Sequence, residues 1–183
     1  MKNPDPITVV PYNPHWPEQF VALSSKIQKC LSGIIKDIHH VGSTAVPGLE
    51  AKPIIDIDII LFNLADIELA IAALNENGYY YLGEMGISGR HAFSDTNERS
   101  VAHNLYICDP HSPAFLNHIA LRDHLRGSQE AREAYGNLKK QLASLHPFDI
   151  EQYVHGKTAF IADVLMSSGL SRPSIEQIRK ENS

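Results

Sequence analysis

The hydrophobic positions repeat with different periods in the two halves of the chain. Short apolar runs bounded by turn residues predict strands at 7–11, 38–41, 54–61, 79–84, 90–94 and 100–108. Helical spacing predicts helices at 14–31, 65–77, 113–126, 129–145 and 149–167. Strands early and helices late indicate an α+β fold, with a mixed β-sheet, helices packed on it and a C-terminal helical part.

Local signals place the ends of the first two helices. Asn13 is the predicted N-cap of the first helix and Pro14 its first residue. Gly78 is expected to close the second helix. The first helix carries apolar residues at helical spacing, a pattern typical of a face that packs against the core: Phe20, Leu23, Ile27 and Leu31.

Length and composition are those of an ordinary globular protein. The chain has 183 residues, 43% of them hydrophobic and 20% charged, and no repeat, low-complexity tract or linker divides it. We therefore predict one domain over 1–183, with its core at about 7–167 and a polar tail at 170–183 that is mobile or loosely docked.

The location and the class of partner follow from what the sequence lacks. No apolar run is long enough to span a bilayer, and the proline-rich N-terminus lacks the apolar run of a signal peptide, so a cytoplasmic protein without membrane contact is expected. Cys30 and Cys108 are isolated, which favours buried thiols over a disulfide or a zinc site. With 16 Lys and Arg against 21 Asp and Glu, nucleic acid is not an expected partner, and a small molecule fits better.

Two acids interrupt the most apolar strand. Alternation along a strand puts Asp56 and Asp58 on one face, and the other face, formed by Ile55, Ile57, Ile59 and Leu61, must be buried. Two neighbouring carboxylates repel each other unless a cation intervenes, and a hard ion such as Mg²⁺, or Mn²⁺ in its place, is the natural choice. The alternative is that both acids simply face solvent.

A second feature precedes these acids. Gly42 and Ser43 follow a short apolar strand, and twelve residues separate Ser43 from Asp56. A glycine allows close approach of the backbone to a phosphate, and free N–H groups with the hydroxyls of Ser43 and Thr44 can form an anion-binding turn.

This arrangement resembles the nucleotidyltransferase superfamily, whose fold is that of DNA polymerase beta. The segments His40–Leu49 (HVGSTAVPGL) and Ala51–Asp56 (AKPIID) resemble the signature of the GrpB family, a family of predicted nucleotidyltransferases. Supporting matches extend over 7–167: Val10-Pro11-Tyr12 with Trp16, His103-Asn104-Leu105-Tyr106, Arg122-Asp123-His124-Leu125-Arg126, Tyr135 with Leu138-Lys139, and Tyr153 with Lys157.

The resemblance implies a site for a nucleoside triphosphate and its metal ions. Asp56 and Asp58 would be the catalytic, metal-binding pair. The nucleotide and phosphate contacts would come from Gly42, Ser43, Thr44, Lys52, Arg122, Arg126, Lys139 and Lys157. Other candidates for the cleft are His40, Arg90, His103, Asn104 and Tyr106.

Several of these residues have a structural alternative. Arg122 and Arg126 stand four residues apart, so they share a helix face that suits a phosphate clamp or a solvated face paired with Asp123 and Glu130. Lys52 could neutralise one of the two acids without any substrate. His40 and His103 could be hydrogen-bonded core residues rather than ligands.

A departure from the superfamily pattern concerns its third carboxylate. The resemblance places that acid on a later strand, here 102–108, which contains none. Asn104 or Tyr106 would occupy the position, and neither can activate a nucleophile as a carboxylate does. Asp95, Asp109 or Glu84 would have to reach the site from elsewhere.

Three functions follow from these observations. The first is a magnesium-dependent enzyme that transfers a nucleoside monophosphate from a triphosphate to an unknown small acceptor. The second is a non-catalytic or regulatory module that binds nucleotides or phosphoanions, with a link to coenzyme A metabolism, since some members of the family are fused to dephospho-CoA kinase. The third is a purely structural role for both acids. A Walker kinase and a serine hydrolase are excluded because the motifs G-x-x-x-x-G-K-[ST] and G-x-S-x-G are absent.

Overall fold

A mixed sheet of five strands organises the computed structural model, which describes residues 5–97, 101–167 and 175–176. The strands lie in the order β1-β2-β5-β4-β3. β2 and β5 are parallel, and the other neighbouring pairs are antiparallel. The strands are β1 (Ile35–Val41), β2 (Ile55–Leu61), β3 (Tyr79–Gly83), β4 (Arg90–Asp95) and β5 (His103–Cys108). The predicted α+β class with a mixed sheet is therefore confirmed.

Helices cover both faces of this sheet. α1 and α2 pack against the apolar face of β2, and their residues Leu23, Ile27 and Leu74 are fully or nearly fully buried there. α3 meets the opposite face of the sheet through His118 and packs against α4 and α6. The helices are α1 (Trp16–Cys30), α2 (Ile67–Glu76), α3 (Pro113–Gly127), α4 (Gln129–Leu145), α5 (Ile150–His155) and α6 (Thr158–Ser167). Over the described part of the chain, none combines the length and apolarity that a bilayer crossing requires.

The position of β2 explains where its acids point. Ile55, Ile57 and Ile59 are fully buried in the core beneath α1 and α2. Because side chains alternate along a strand, Asp56 and Asp58 project from the other face, toward α3. The core thus fixes the orientation of both acids.

The N-terminal predictions were partly wrong. No strand forms at 7–11: Val10 makes a single antiparallel bridge with Ala51. The first helix begins at Trp16, with His15 at its N-cap. Asn13 instead accepts a hydrogen bond from the N–H of His15 through its side chain and one from Trp16 through its carbonyl, so the chain turns once before the helix starts.

The C-terminal prediction also needs correction. The helix expected at 149–167 is two helices, α5 and α6, separated at Gly156 and Lys157. A Cβ on Gly156 would collide with Leu142 of α4, so the close approach of α4 accompanies the break. Of the predicted tail at 170–183, only 175–176 is described, and Ile175 is buried against Ala162 and Leu165; the rest lies outside the described residues. Cys30 and Cys108 are both free thiols.

Candidate functional site

The glycine turn lies directly against the first acid. β1 ends at Val41, which pairs with Asp56 across the sheet. Gly42 follows with φ +68°, a left-handed conformation that favours glycine, and a Cβ on it would collide with the Asp56 carboxylate. Ser43 then begins a short 3-10 turn. The glycine turn and the acid strand, which are separated along the chain, therefore lie in direct contact.

Parallel pairing brings two residues of β5 beside the acids. Asp56 is paired with Asn104 and Asp58 with Tyr106, so all four share a sheet face. The Asn104 side-chain amide donates a 2.7 Å hydrogen bond to Oδ1 of Asp56. Burial raises the pKa of Asp56, the charge of Asp58 adds to this, and the Asn104 hydrogen bond opposes it. A cation near Asp56 would stabilise the charged carboxylate and so lower this pKa.

Asp58 has a partner that the sequence pattern did not reveal. This residue is fully buried, and Nδ1 of His118 on α3 lies 2.7 Å from its Oδ2. Burial alone would lower the pKa of His118, but the charge and hydrogen bond of Asp58 outweigh it and the pKa is raised. The other oxygen, Oδ1, has no hydrogen-bond partner among the described residues, so a buried acceptor remains for a ligand or ion.

The two arginines of α3 hold the glycine turn from both sides. Nη1 of Arg122 donates to the carbonyl of His40 at 3.2 Å. Arg126 donates through Nε and Nη2 to the carbonyl of Ala45, at 2.9 and 2.8 Å. The phosphate clamp predicted from their spacing is thus, for Arg126, a clamp on the backbone. The solvated-face alternative holds in two respects: Arg122 contacts Asp123 at 2.7 Å, and Arg126 is exposed.

Lys139 lies beside Ser43, on the other side of the turn. Its Nζ donates to Oγ of Ser43 at 2.9 Å and also to the carbonyl of Glu50. Burial lowers the pKa of Lys139 to about 7, and the charge of Lys157 adds to this effect. Lys157 lies 4.6 Å from the ring centroid of Tyr153, and burial lowers its pKa to about 8 against the opposing charge of Asp56. Both ammonium groups lack a carboxylate partner among the described ion pairs, so an anion would stabilise them.

Two cavities meet at Asp56. The first, which we call the lysine cavity, has a volume of about 170 Å³ and is lined by Ser43, Lys52, Asp56, Lys139, Tyr153 and Lys157, among others. The second, the α3 cavity, has a volume of about 210 Å³ and is lined by Ser43, Asp56, Tyr106, Asn117, His118 and Arg122, among others. Ser43, Asp56 and Lys157 border both. Of the two arginines, Arg122 lines the α3 cavity, whereas Arg126 is not among the described residues that line either one.

Thr44 and His40 support the turn from inside the protein. The Thr44 hydroxyl donates to the carbonyl of Ile54 at 3.2 Å, so the 3.0 Å contact with His40 must use the Nε2 proton of the histidine. Burial and the nearby arginines lower the pKa of His40 to about 4, which keeps the ring neutral. It also stacks on Phe20, with ring centroids 4.7 Å apart. Thr44 borders the lysine cavity, but its hydroxyl is already engaged.

The remaining candidates separate into two groups. His103 alternates with Asn104 along β5 and faces away from the acids, where it contacts Tyr79 at 3.0 Å and the carbonyl of Val101 at 2.7 Å. Arg90 lies over the ring of Tyr106, 4.6 Å from its centroid, on the same face as the acids. Its Nε is buried without a partner among the described residues.

The position of a third carboxylate is taken by Asn104. Asp95, Asp109 and Glu84 are not among the described residues that line the two cavities. Glu84 instead accepts from the N–H of Gly89, and Asp109 from that of His111. Within the described part of the chain, none of these three acids therefore joins the two acids of β2.

The donor set of β2 fits one kind of metal site. The described residues contain no cluster of three or more His, Cys, Asp or Glu side chains placed to hold a metal ion. Mg²⁺, however, is commonly held by one or two carboxylates together with substrate phosphates rather than by a complete protein cage. Asp56 beside the turn and the unpaired Oδ1 of Asp58 match that requirement, as does the open cavity next to them.

Comparison with known proteins decides the family. A model of the family described as GrpB protein matches residues 6–167. The chain belongs to the GrpB family. Among its GrpB-family relatives, the UPF0157 protein YqkA of Bacillus subtilis is 34% identical over 155 residues, covering 85% of this chain and 45% of that protein. The chain thus spans less than half the length of YqkA. The glutamate-rich protein GrpB of Alkalihalophilus pseudofirmus is 32% identical, covering 89% of this chain and 96% of that one.

Solved structures agree with the family assignment and extend the fold comparison. The crystal structure of conserved protein GrpB from Enterococcus faecalis has a TM-score of 0.78 and 33% identity, and the match covers 94% of this chain and 98% of that one. Cid1 poly(U) polymerase, solved with MgGTP bound, has a TM-score of 0.53 and 15% identity, with 74% of this chain and 44% of that chain covered. The GrpB-family fold is therefore nucleotidyltransferase-like, as the sequence predicted.

Proposed function

We propose that this chain is a magnesium-dependent nucleotidyltransferase that transfers a nucleoside monophosphate from a nucleoside triphosphate to a small acceptor. The observation that carries the proposal is the position of Asp56. It lies against the Gly42 turn and borders both the lysine cavity and the α3 cavity. A group bound in one cavity can therefore meet a group bound in the other beside a carboxylate.

The lysine cavity is suited to the triphosphate. Three ammonium groups line it, from Lys52, Lys139 and Lys157, in a chain whose net charge is −5. Two of them are buried enough for their pKa to be lowered. Phosphate oxygens would restore their charged forms and accept their hydrogen bonds.

The chemistry would be an in-line displacement at the α-phosphorus. The acceptor oxygen forms a bond to that phosphorus, the bond to the bridging oxygen of the β-phosphate breaks, pyrophosphate leaves, and the acceptor proton is released to water. A bound Mg²⁺ would supply charge stabilisation for the attacking and leaving oxygens. Asp56 and Asp58 would hold that ion, while Ser43 and Lys139 would hold the phosphates and keep the reacting groups aligned.

A second candidate function is nucleotide binding without turnover. Asn104 donates to Asp56 where the superfamily pattern has a third acid, and an amide cannot accept the acceptor's proton as a carboxylate can. A binding or regulatory module, including one linked to coenzyme A metabolism, would keep the phosphate contacts and lack pyrophosphate release. Pyrophosphate release therefore distinguishes the two candidate functions.

Thermal unfolding with ATP, GTP, CTP and UTP, each with and without Mg²⁺, tests the binding step. At a ligand concentration 100 times the Kd, binding stabilises a protein by about 2.7 kcal/mol, which corresponds to a Tm increase of about 5–10 °C for a domain of this size. We expect that increase with at least one nucleotide and only with Mg²⁺. Asp56→Asn should abolish it while leaving the Tm of the free protein unchanged or slightly higher, because the repulsion between Asp56 and Asp58 is removed.

The matched control is Asp37→Asn, the same substitution at an exposed position on the neighbouring strand. It should respond to nucleotides as the wild type does. A wild-type protein that no nucleotide stabilises would contradict the proposal, as would an Asp56→Asn variant that keeps the full increase. Pyrophosphate release with a protein-free extract of small metabolites then distinguishes the enzyme, which releases it, from the binding module, which does not.

A further inference from the structure

The α3 cavity differs in chemistry from the lysine cavity, although the two meet at Asp56. Much of its wall is hydrocarbon, contributed by Val41, Leu121, Leu125, Ile161 and the ring of Tyr135. Leu125 is almost completely buried, and all of these residues except Val41 belong to the cluster that packs α3 against α4 and α6. A highly charged triphosphate gains nothing from such a wall, whereas an apolar group gains about 25 cal/mol for each Å² removed from water.

Among the polar residues that line the α3 cavity, Arg122 has free hydrogen-bond donors that point to one kind of ligand group. Arg122 is largely buried, with 13% of its side chain exposed. A guanidinium has five N–H donors, and described contacts use Nε toward Asp123 and Nη1 toward His40. Donors therefore remain for one anionic group of a ligand. Asp123 offsets part of the charge, but its side chain is 53% exposed, so solvent screens it.

An unpaired acceptor completes the cavity. Oδ1 of Asn117 is buried and has no hydrogen-bond partner among the described residues, and Asn117 lines the cavity one residue before His118. A buried acceptor without a donor is unfavourable, because it has lost its hydrogen bond to water. A hydroxyl group of a ligand would satisfy it.

We propose that the α3 cavity is the acceptor site, and that the acceptor is a small hydroxy acid: a compact hydrocarbon part against Leu121, Leu125 and Ile161, an anionic group on Arg122, and a hydroxyl group near Asn117 and Asp56. This inference rests on the proposed function, because it assigns the acceptor of the same reaction. The volume of about 210 Å³ is sufficient for a small molecule of this kind.

Saturation-transfer NMR with four probes tests the site without any nucleotide. Leucate, the α-hydroxy acid with the carbon skeleton of leucine, carries all three groups; isocaproate lacks the hydroxyl, isohexanol lacks the carboxylate, and glycolate lacks the hydrocarbon. We expect leucate to bind with a Kd in the millimolar range and each other probe to bind about tenfold more weakly or not at all. In Arg122→Gln the advantage of leucate over isohexanol should disappear.

Two variants of α3 locate the binding. Leu121→Trp fills the cavity and should abolish leucate binding, whereas Leu116→Trp, the same substitution at an exposed position of the same helix, should leave it unchanged. Asn117→Leu, which removes the unpaired oxygen and keeps the number and branching of the side-chain heavy atoms, should weaken leucate to the level of isocaproate. It keeps the test valid if Leu121→Trp does not fold.

The outcomes separate this inference from the proposed function. Mg²⁺-dependent stabilisation by a nucleotide without leucate binding to the wild type would overturn the acceptor site and leave the nucleotide site standing. Leucate binding that is equal in Leu116→Trp, Leu121→Trp and Asn117→Leu would place the ligand elsewhere and overturn it as well. Leucate binding that Leu121→Trp abolishes, Asn117→Leu weakens and Leu116→Trp retains, in a protein that no nucleotide stabilises, would support the cavity as a hydroxy-acid site and contradict the proposed nucleotidyltransferase function.

Discussion

A single contact between Gly42 and Asp56 sets the geometry of the candidate site. The turn after β1 needs a positive φ, and the carboxylate occupies the space that a Cβ would fill. Glycine is therefore required twice at this position, once for the backbone and once for the approach of Asp56. Close contact between a backbone turn and a carboxylate is what a site for phosphate and Mg²⁺ needs.

The first prediction separates these two requirements. Gly42→Ala should destabilise the protein by at least about 2 kcal/mol more than Gly33→Ala, because it adds a collision with Asp56 to the strain of a positive φ. Gly33 is the matched control: its φ is +87°, and a Cβ added there would meet no atom within 4 Å. Urea unfolding of both variants gives the difference in free energy, and nucleotide titration gives the effect on binding.

Gly42→Ala should also lose the Mg²⁺-dependent stabilisation by nucleotides that Gly33→Ala retains. Equal stability and equal nucleotide response in the two variants would mean that Asp56 does not depend on the turn. The proximity of the two motifs would then have no functional meaning.

At the scale of elements, α3 is the helix that assembles the site. His118, Arg122 and Arg126 recur every four residues, so they form one stripe along the helix. The stripe contacts Asp58, the carbonyl before the glycine turn and the carbonyl after it. One helix thus positions both the acid strand and the turn.

Arg126 should therefore act through the turn. Arg126→Ala removes two hydrogen bonds to the carbonyl of Ala45 and should cost about 1–2 kcal/mol of unfolding free energy. It should also weaken Mg²⁺-nucleotide binding by about three- to tenfold, since the turn loses a fixed conformation. Arg126→Lys, which keeps one donor, should recover most of both effects in urea unfolding and calorimetry.

The contrary result for Arg126 is a loss of stability in the alanine variant with unchanged nucleotide affinity. That would make the arginine a fold-stabilising residue without influence on the site. Failure of lysine to recover either property would instead show that the planar, two-donor geometry is essential.

The sequence predicted those elements whose signal is local. The bounds of α4 were predicted correctly, and those of β2 to within one residue, because uninterrupted periodicity and flanking turn residues define them. At 7–11 the strand was wrong, because a composition suited to strands cannot show whether a partner strand lies alongside. The break between α5 and α6 was not predicted, because it coincides with a close approach of Gly156 to Leu142 on another helix.

At the candidate site, too, local patterns could be predicted and contacts between distant residues could not. Spacing in the sequence was enough to recognise Gly42, Ser43, Asp56 and Asp58. His118 was missed, although a signal existed: it extends the four-residue spacing of Arg122 and Arg126 by one step. The contact of Lys139 with Ser43 joins residues 96 apart in sequence, and no local pattern reports such a contact.

At the scale of the molecule, the two faces of the sheet have different roles: one packs in the core and the other carries the candidate site. One face of β2 is sealed beneath α1 and α2, and the other faces α3 and the two cavities. The glycine turn, both acids and Lys52 come from the first half of the chain, and Lys139, Lys157 and the stripe of α3 from the second. The site therefore exists only when both halves are folded together, so binding of a nucleotide should stabilise the whole fold rather than one part.

The most direct test of the proposed site is a crystal structure with Mn²⁺ and a non-hydrolysable nucleoside triphosphate analogue. The anomalous signal of Mn²⁺ locates the ion independently of any interpretation of the ligand. We predict the ion between the carboxylates of Asp56 and Asp58, with the triphosphate contacting Ser43, Lys139 and Lys157 in the lysine cavity. An ion or a nucleotide bound elsewhere, or a crystal soaked with both that holds neither at this corner of the sheet, would contradict the proposed site.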